Sequence, residues 1–285
     1  MAVLLAFLAA VSYGSSDFIA GLVSRRIGPL LVLVIGQAAG LVLLLVILPV
    51  FGGAPAVRPM AWGVLAGAGA TVGTLALYRG LGTGRMNVVA PLSGVGAAAL
   101  PVLAGVALGE RLGARSVAGV VLAIAAIVAV CSGARGRRTD RVTERLGVRE
   151  GLAAGAGFAL LFVALQRAGT DNGLWPLLAA QVSALAALAS FGLATGRRLR
   201  PVRAELPATV AAGLLGVTAV LLFVLATGHG LLSIVAVVTA LYPAVTVLLA
   251  VAVLREPVAR IQFAGLVAAA VGVALIVSGA DRPAG

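Results

Sequence analysis

The chain has 285 residues, 61% of them hydrophobic and only 11% charged, with a mean hydropathy of +1.15. Soluble domains run at roughly 45–50% apolar and 25% charged, so this composition excludes a fold that hides its apolar surface from water and defines a polytopic membrane protein. The net charge of +12 sits in short loops, which reads as membrane topology and gives no case for nucleic acid as a partner.

All 21 basic residues are arginine, which excludes a P-loop lysine and with it a nucleotide-driven pump. The one cysteine, Cys131, excludes an intrachain disulfide and leaves no thiolate metal site. In lipid each span must satisfy its own backbone hydrogen bonds, so the choice is helices or a closed barrel. Uninterrupted apolar runs without period-two alternation select an all-α integral membrane fold.

In chain order, span one covers residues 2–23. It lacks the basic start of a signal peptide, and Arg25 and Arg26 follow it, so it reads as a retained helix. Spans two to five cover 29–50, 60–81, 87–108 and 114–132. A polar linker, 133–150, carries six arginines against Asp140, Glu144 and Glu150. Spans six to ten cover 151–166, 174–193, 206–227, 233–254 and 261–278. Most are close to the roughly 20 residues that a bilayer core requires. Glycines four apart, such as Gly36 and Gly40 or Gly63 and Gly67, suit close helix packing.

The segments 87–132 and 233–278 align without a gap at an offset of 146, placing Glu110 on Glu256, Leu108 on Leu254 and Gly119 on Gly265. The chain is thus a duplication: a first five-helix repeat at 1–132, the linker, and a second repeat at 151–285. Five is odd, so the second copy enters the bilayer from the other side, and the architecture is ten transmembrane helices in two inverted five-helix repeats. Counted by loop, sixteen arginines fall on the face of the linker and five, Arg58, Arg111, Arg115, Arg167 and Arg282, on the other. The bias puts the linker in the cytoplasm and both chain ends outside.

Of the nine acids, Asp17 alone lies clearly inside a span. At that depth an ionisable group costs about 2.5–3.5 kcal/mol on insertion scales, so it should face protein or a cavity. Three readings stay open: a buried pair with Arg79, coupling to protons or to a cationic substrate, and snorkelling toward Arg25. Glu110 and Glu256 each end one span just before the next, where a carboxylate caps the free N–H groups of the following helix, so both read as structural.

Pro91 and Pro101 of span four and Pro243 of span nine interrupt counterpart helices, either as packing kinks or to free carbonyls around a cavity. Asn87, Ser93, Thr239 and Tyr242 lie near them, with Tyr78 on span three. Gln37 and Gln181 are matching intramembrane amides, either interhelical links or cavity groups. His229, the sole histidine, sits in a turn, and Trp62 and Trp175 read as interfacial anchors. No catalytic constellation, cofactor motif or metal-ligand set appears, which disfavours an integral-membrane enzyme; a channel lacks its ring of charges. One chain suffices for such a cavity, with a small molecule, the lipid bilayer and protons as the expected partners.

The paired helix ends Leu-Gly-Glu-Arg (108–111) and Leu-Arg-Glu-Pro (254–257), each followed by a glycine-bearing helix, resemble the signature of EamA-type transporters of the drug/metabolite transporter superfamily. Gly-Ser-Ser-Asp-Phe (14–18) resembles it too, and the similarity spans essentially the whole chain. The resemblance implies a central cavity lined mainly by spans one, three, four, six, eight and nine. It also implies secondary transport of small organic metabolites across the plasma membrane, often outward. Many members of that family keep both termini cytoplasmic, whereas the arginine count here gives the reverse.

Overall fold

The computed structural model describes residues 1–82, 86–132, 141–196, 203–255 and 259–280. They form helices α1 (Ala2–Ile27), α2 (Pro29–Phe51), α3 (Val57–Gly82), α4 (Met86–Ala107), α5 (Ala114–Ser132) and α6 (Arg141–Ala168). After these come α7 (Trp175–Ala194), a 3-10 turn (Arg203–Glu205), α8 (Leu206–Thr227), α9 (Leu232–Thr239), α10 (Tyr242–Leu254) and α11 (Arg260–Ala280). Among the described residues, nine segments are long and apolar enough to cross a bilayer, α9 and α10 counting together as one. The shorter apolar stretch Leu92–Ala107 of α4 supplies the tenth. Val42, Val46, Leu193 and Phe263 are exposed on the outer helix faces, where the solvent is lipid.

Local chemistry sets the breaks. Between α1 and α2, Gly28 turns the chain at φ +83, a conformation that costs glycine little, and Pro29 opens α2 where no N–H is needed. The ninth span is not one helix: it breaks at Ala240 and Leu241, because Pro243 has no N–H to offer the carbonyl of Thr239. Leu241 N bonds instead to Val238 O at 3.2 Å, tightening the last turn. The counterpart α4 runs unbroken from Met86 to Ala107 through both Pro91 and Pro101, so proline interrupts only one of the two helices. The helix of span six starts at Arg141, not Gly151, since Arg, Glu and Leu favour helix in water as in lipid.

The two copies interlock instead of packing side by side. α1 lies against α8, α9 and α10, and, in the matching relation, α6 lies against α3 and α4. Gly119 of α5 meets Ile276 of α11, and their repeat mates Gly265 and Val130 meet in turn. Rising along α5 therefore means descending along α11, the antiparallel relation that inversion demands. Gly67 of α3 closes on Ala180 of α7 as Gly213 of α8 closes on Gly36 of α2. The pseudo-two-fold axis thus passes between α2 and α7 and between α5 and α11. All eight residues of α9 are buried, which makes it the central strut of the bundle.

Candidate functional site

A cavity of about 180 Å³ lies between the halves, walled by α1, α2, α3, α6, α7 and α8, with Ala97 of α4 and Tyr242 of α10 completing it. α2 and α7 line it in addition to the helices that the family resemblance implies, while α4 contributes little. The reason is the axis: α2 and α7 cross there, and Gly36, Gly67 and Gly213 let the surrounding helices close in.

The first helix supplies the polar side of the cavity, and its Gly-Ser-Ser-Asp run divides the labour by helical position. Gly14 lies where a Cβ would come within 2.6 Å of Tyr242 O, so α1 touches α10, and Thr246 Oγ donates to Gly14 O at 3.1 Å. Ser12 and Ser16, four apart on one face, donate to Leu215 O at 2.8 Å and Ala212 O at 2.7 Å of α8. With α1 so fixed, Asp17 and Tyr13 face the cavity. Asp17 makes no hydrogen bond or ion pair among the described residues.

The Asp17–Arg79 pair is therefore not formed. Tyr78 turns into the cavity, and Arg79, about 100° further round α3, is exposed at its end and does not line the cavity. Tyr13, Tyr78 and Tyr242, the three tyrosines of the chain, all line the cavity with Asp17. The rings of Tyr13 and Tyr242 stand 6.0 Å apart at 48°. Phe162 stacks on Phe223 at 4.5 Å behind the opposite wall.

Of the two amides, Gln181 makes the interhelical link, and it does so to the backbone of Gln37 and not to its side chain. Gln181 Nε2 donates to Gln37 O at 2.9 Å, tying α7 to α2 across the axis, and both side chains line the cavity. Ser93 and Thr239, themselves repeat mates, do not line it: they are buried on α4 and α9, each with a hydroxyl lacking a partner among the described residues. Asn87 and Pro91 are on α4, but their side chains lie outside those described, and Glu256 lies outside the described residues altogether. Tyr13, Ser16, Thr74, Phe158 and Phe162 join the site without having been singled out from the sequence. For Tyr13 the signal was its position four residues before Asp17.

Glu110 caps a helix, though not the one that follows it. Its Oε1 accepts from Leu232 N at 2.6 Å, and its Oε2 accepts from Ser233 N at 3.0 Å and Ser233 Oγ at 2.5 Å. The capped helix is α9, in the other half of the chain. The same face, opposite the linker, holds further contacts between the halves. Asn172 Nδ2 donates to Ala54 O at 2.8 Å, and Gly53, at φ +82, packs directly on Asn172. The Arg167 guanidinium stands 5.8 Å from the centre of the Trp62 ring. His229 is exposed in the α8–α9 turn with Nδ1 2.8 Å from Leu225 O, so it takes no part in the cavity. Among the described residues no group of three His, Cys, Asp or Glu side chains could hold a metal ion.

Compared with known proteins, both halves of the chain, residues 1–132 and 146–278, match the model of the EamA-like transporter family. The chain belongs to the EamA-like transporter family. It is accordingly a multi-pass membrane protein of a family of small-molecule transporters. The two matched segments fall in the two halves of the chain. No protein of curated function matches the chain. One solved crystal structure aligns over 99% of this chain and 98% of its own at a TM-score of 0.78, and at 20% identity it speaks for the fold alone.

Proposed function

We propose that this EamA-like protein is a secondary transporter of the plasma membrane that moves a small organic metabolite outward by alternating access. The cavity between the halves is its substrate site, and Asp17 is the group through which protons couple to the movement. The observation that carries the reading is the position of this cavity. It lies on the pseudo-two-fold axis between inverted repeats, where a rocking of one half against the other exposes it first to one side and then to the other. In the present conformation the Glu110, Asn172 and Trp62 contacts join the halves at the face opposite the linker. Arg26 Nη1 donates to Glu205 Oε1 at 2.7 Å on the linker face, so contacts join the halves at both faces. The cavity is built from one chain, so a monomer suffices.

Asp17 suits coupling because it is a carboxyl inside a span and forms no ion pair among the described residues. The test is flux in liposomes containing the purified protein. Saturable counterflow of a substrate, driven by an imposed pH gradient and made insensitive to that gradient by Asp17→Asn, is expected. Unsaturable flux would make the protein a channel, chemical conversion an enzyme, and unchanged pH dependence in the variant would remove Asp17 from coupling.

A further inference from the structure

We infer that the ligand of this cavity is a small organic cation, an amine or quaternary ammonium with an apolar body, held by Asp17 inside the three tyrosines. The inference rests on the reading of the cavity as a transport site, and three features of the lining support it. The first is charge. Among the described residues, Asp17 is the one charged side chain lining the cavity, and no described arginine is there. Among the described lining residues an anion, or the carboxylate end of a zwitterion, finds no opposite charge, whereas a cation finds one that forms no ion pair there.

The second feature is the distribution of aromatic rings. Aromatic residues make up only 5% of the sequence, yet all three tyrosines converge on this carboxylate from α1, α3 and α10, joined by Phe158 and Phe162 of α6. Rings around a single carboxylate attract a cation through their negative faces, an attraction that strengthens when water is excluded. The third is the balance of donors and acceptors. Ser16 and Thr74 give their hydroxyl protons to Ala212 O and Ala70 O, and Gln181 Nε2 is bound to Gln37 O. Left without a partner among the described residues are Gln37 Oε1, an acceptor, and the Tyr13 hydroxyl, which donates or accepts, and the Asp17 carboxylate adds two further acceptor oxygens. Such a lining complements a ligand that brings positive charge and N–H donors. The volume of about 180 Å³ lies below the roughly 300–1,000 Å³ of drug-sized sites, which sets the class as small.

The experiment holds the ligand skeleton constant and changes its charge. Phenethylamine (cation), phenylalanine (zwitterion) and hydrocinnamate (anion), with tetraethylammonium as a cation lacking N–H, are titrated into the purified full-length protein by calorimetry at neutral pH. The cations are expected to bind at least tenfold tighter than the zwitterion and the anion. Asp17→Asn should weaken phenethylamine at least tenfold, Tyr242→Phe should keep its binding and Tyr242→Leu should lose it. Thermal midpoints of the ligand-free variants report whether each is folded; should Tyr242→Leu fail there, Asp17→Asn and Tyr242→Phe decide alone.

Equal or tighter binding of hydrocinnamate or phenylalanine, undiminished amine binding by Asp17→Asn, or binding of neither cation to folded protein overturns the inference. Liposome flux separates it from the transport reading. Cations that bind with this pattern but never cross would sink transport and leave the cation site standing. Saturable counterflow of a non-cationic solute by a protein that binds no cation would do the reverse.

Discussion

Replacing Glu110 by alanine removes the acceptor for Leu232 N, Ser233 N and Ser233 Oγ and leaves the start of α9 uncapped. Three hydrogen bonds at about 0.5–1.5 kcal/mol each, net of water, give roughly 1.5–4.5 kcal/mol. Glu110 is half-buried, so water reaches part of what it leaves behind, and the lower half of that range applies. About 2 kcal/mol also matches the upper end of measured helix-cap removals. Because the contact joins the two halves, the loss falls on the conformation closed at that face and shifts its equilibrium with the open one by about 30-fold. In a thermal melt of the detergent-solubilised protein this corresponds to a drop of about 3 °C, since the unfolding entropy scales with chain length.

A double-mutant cycle with Ser233→Ala isolates the interaction, which should appear as a coupling of about 1 kcal/mol. Gly105→Ala gives an independent handle, since a Cβ there meets Ser233 Oγ at 2.5 Å and collides with Glu110 Oε2. It should reproduce most of the Glu110→Ala loss and add little to it. Strictly additive effects of Glu110→Ala and Ser233→Ala, or a Glu110→Ala protein with an unchanged melt, would refute the cap between halves.

Helix packing and the charge of the loops carry two further expectations. Gly213→Ala should cost about 1–3 kcal/mol by forcing α8 off Gly36 of α2, whereas Gly21→Ala, with nothing within 4 Å, should be neutral or slightly stabilising; equal melts for the two would contradict the helix packing. The excess of arginine on the linker side calls for a reporter fused to the C-terminus to be active outside the cytoplasm, and activity confined to the cytoplasm would invert the assignment of sides.

The sequence by itself determined class, span number and inversion. Composition forces the chain into lipid, apolar runs of bilayer length are helices by hydrogen-bond necessity, and an odd repeat duplicated in tandem must invert. It also isolated Asp17, because a lone carboxylate within an apolar run needs no partner to be conspicuous. What it left open depends on which helix face meets which neighbour. Glu110 is adjacent in sequence to α5 but caps α9, and nothing local distinguishes the two N-termini. Tyr78 and Arg79 are neighbours in the chain, yet one turns into the cavity and the other away from it.

Ser93 and Thr239 share a repeat position and hydroxyl chemistry with what a site would use, but the crossing of α4 and α9 buries them elsewhere. Of the prolines in the counterpart helices, only Pro243 breaks the chain, an outcome that intrahelical rules do not separate from Pro91 or Pro101. Tertiary packing alone decided these points, because the interlocked repeats draw every wall of the cavity from residues far apart in the chain. The convergence of three tyrosines on Asp17 from α1, α3 and α10 is the clearest instance.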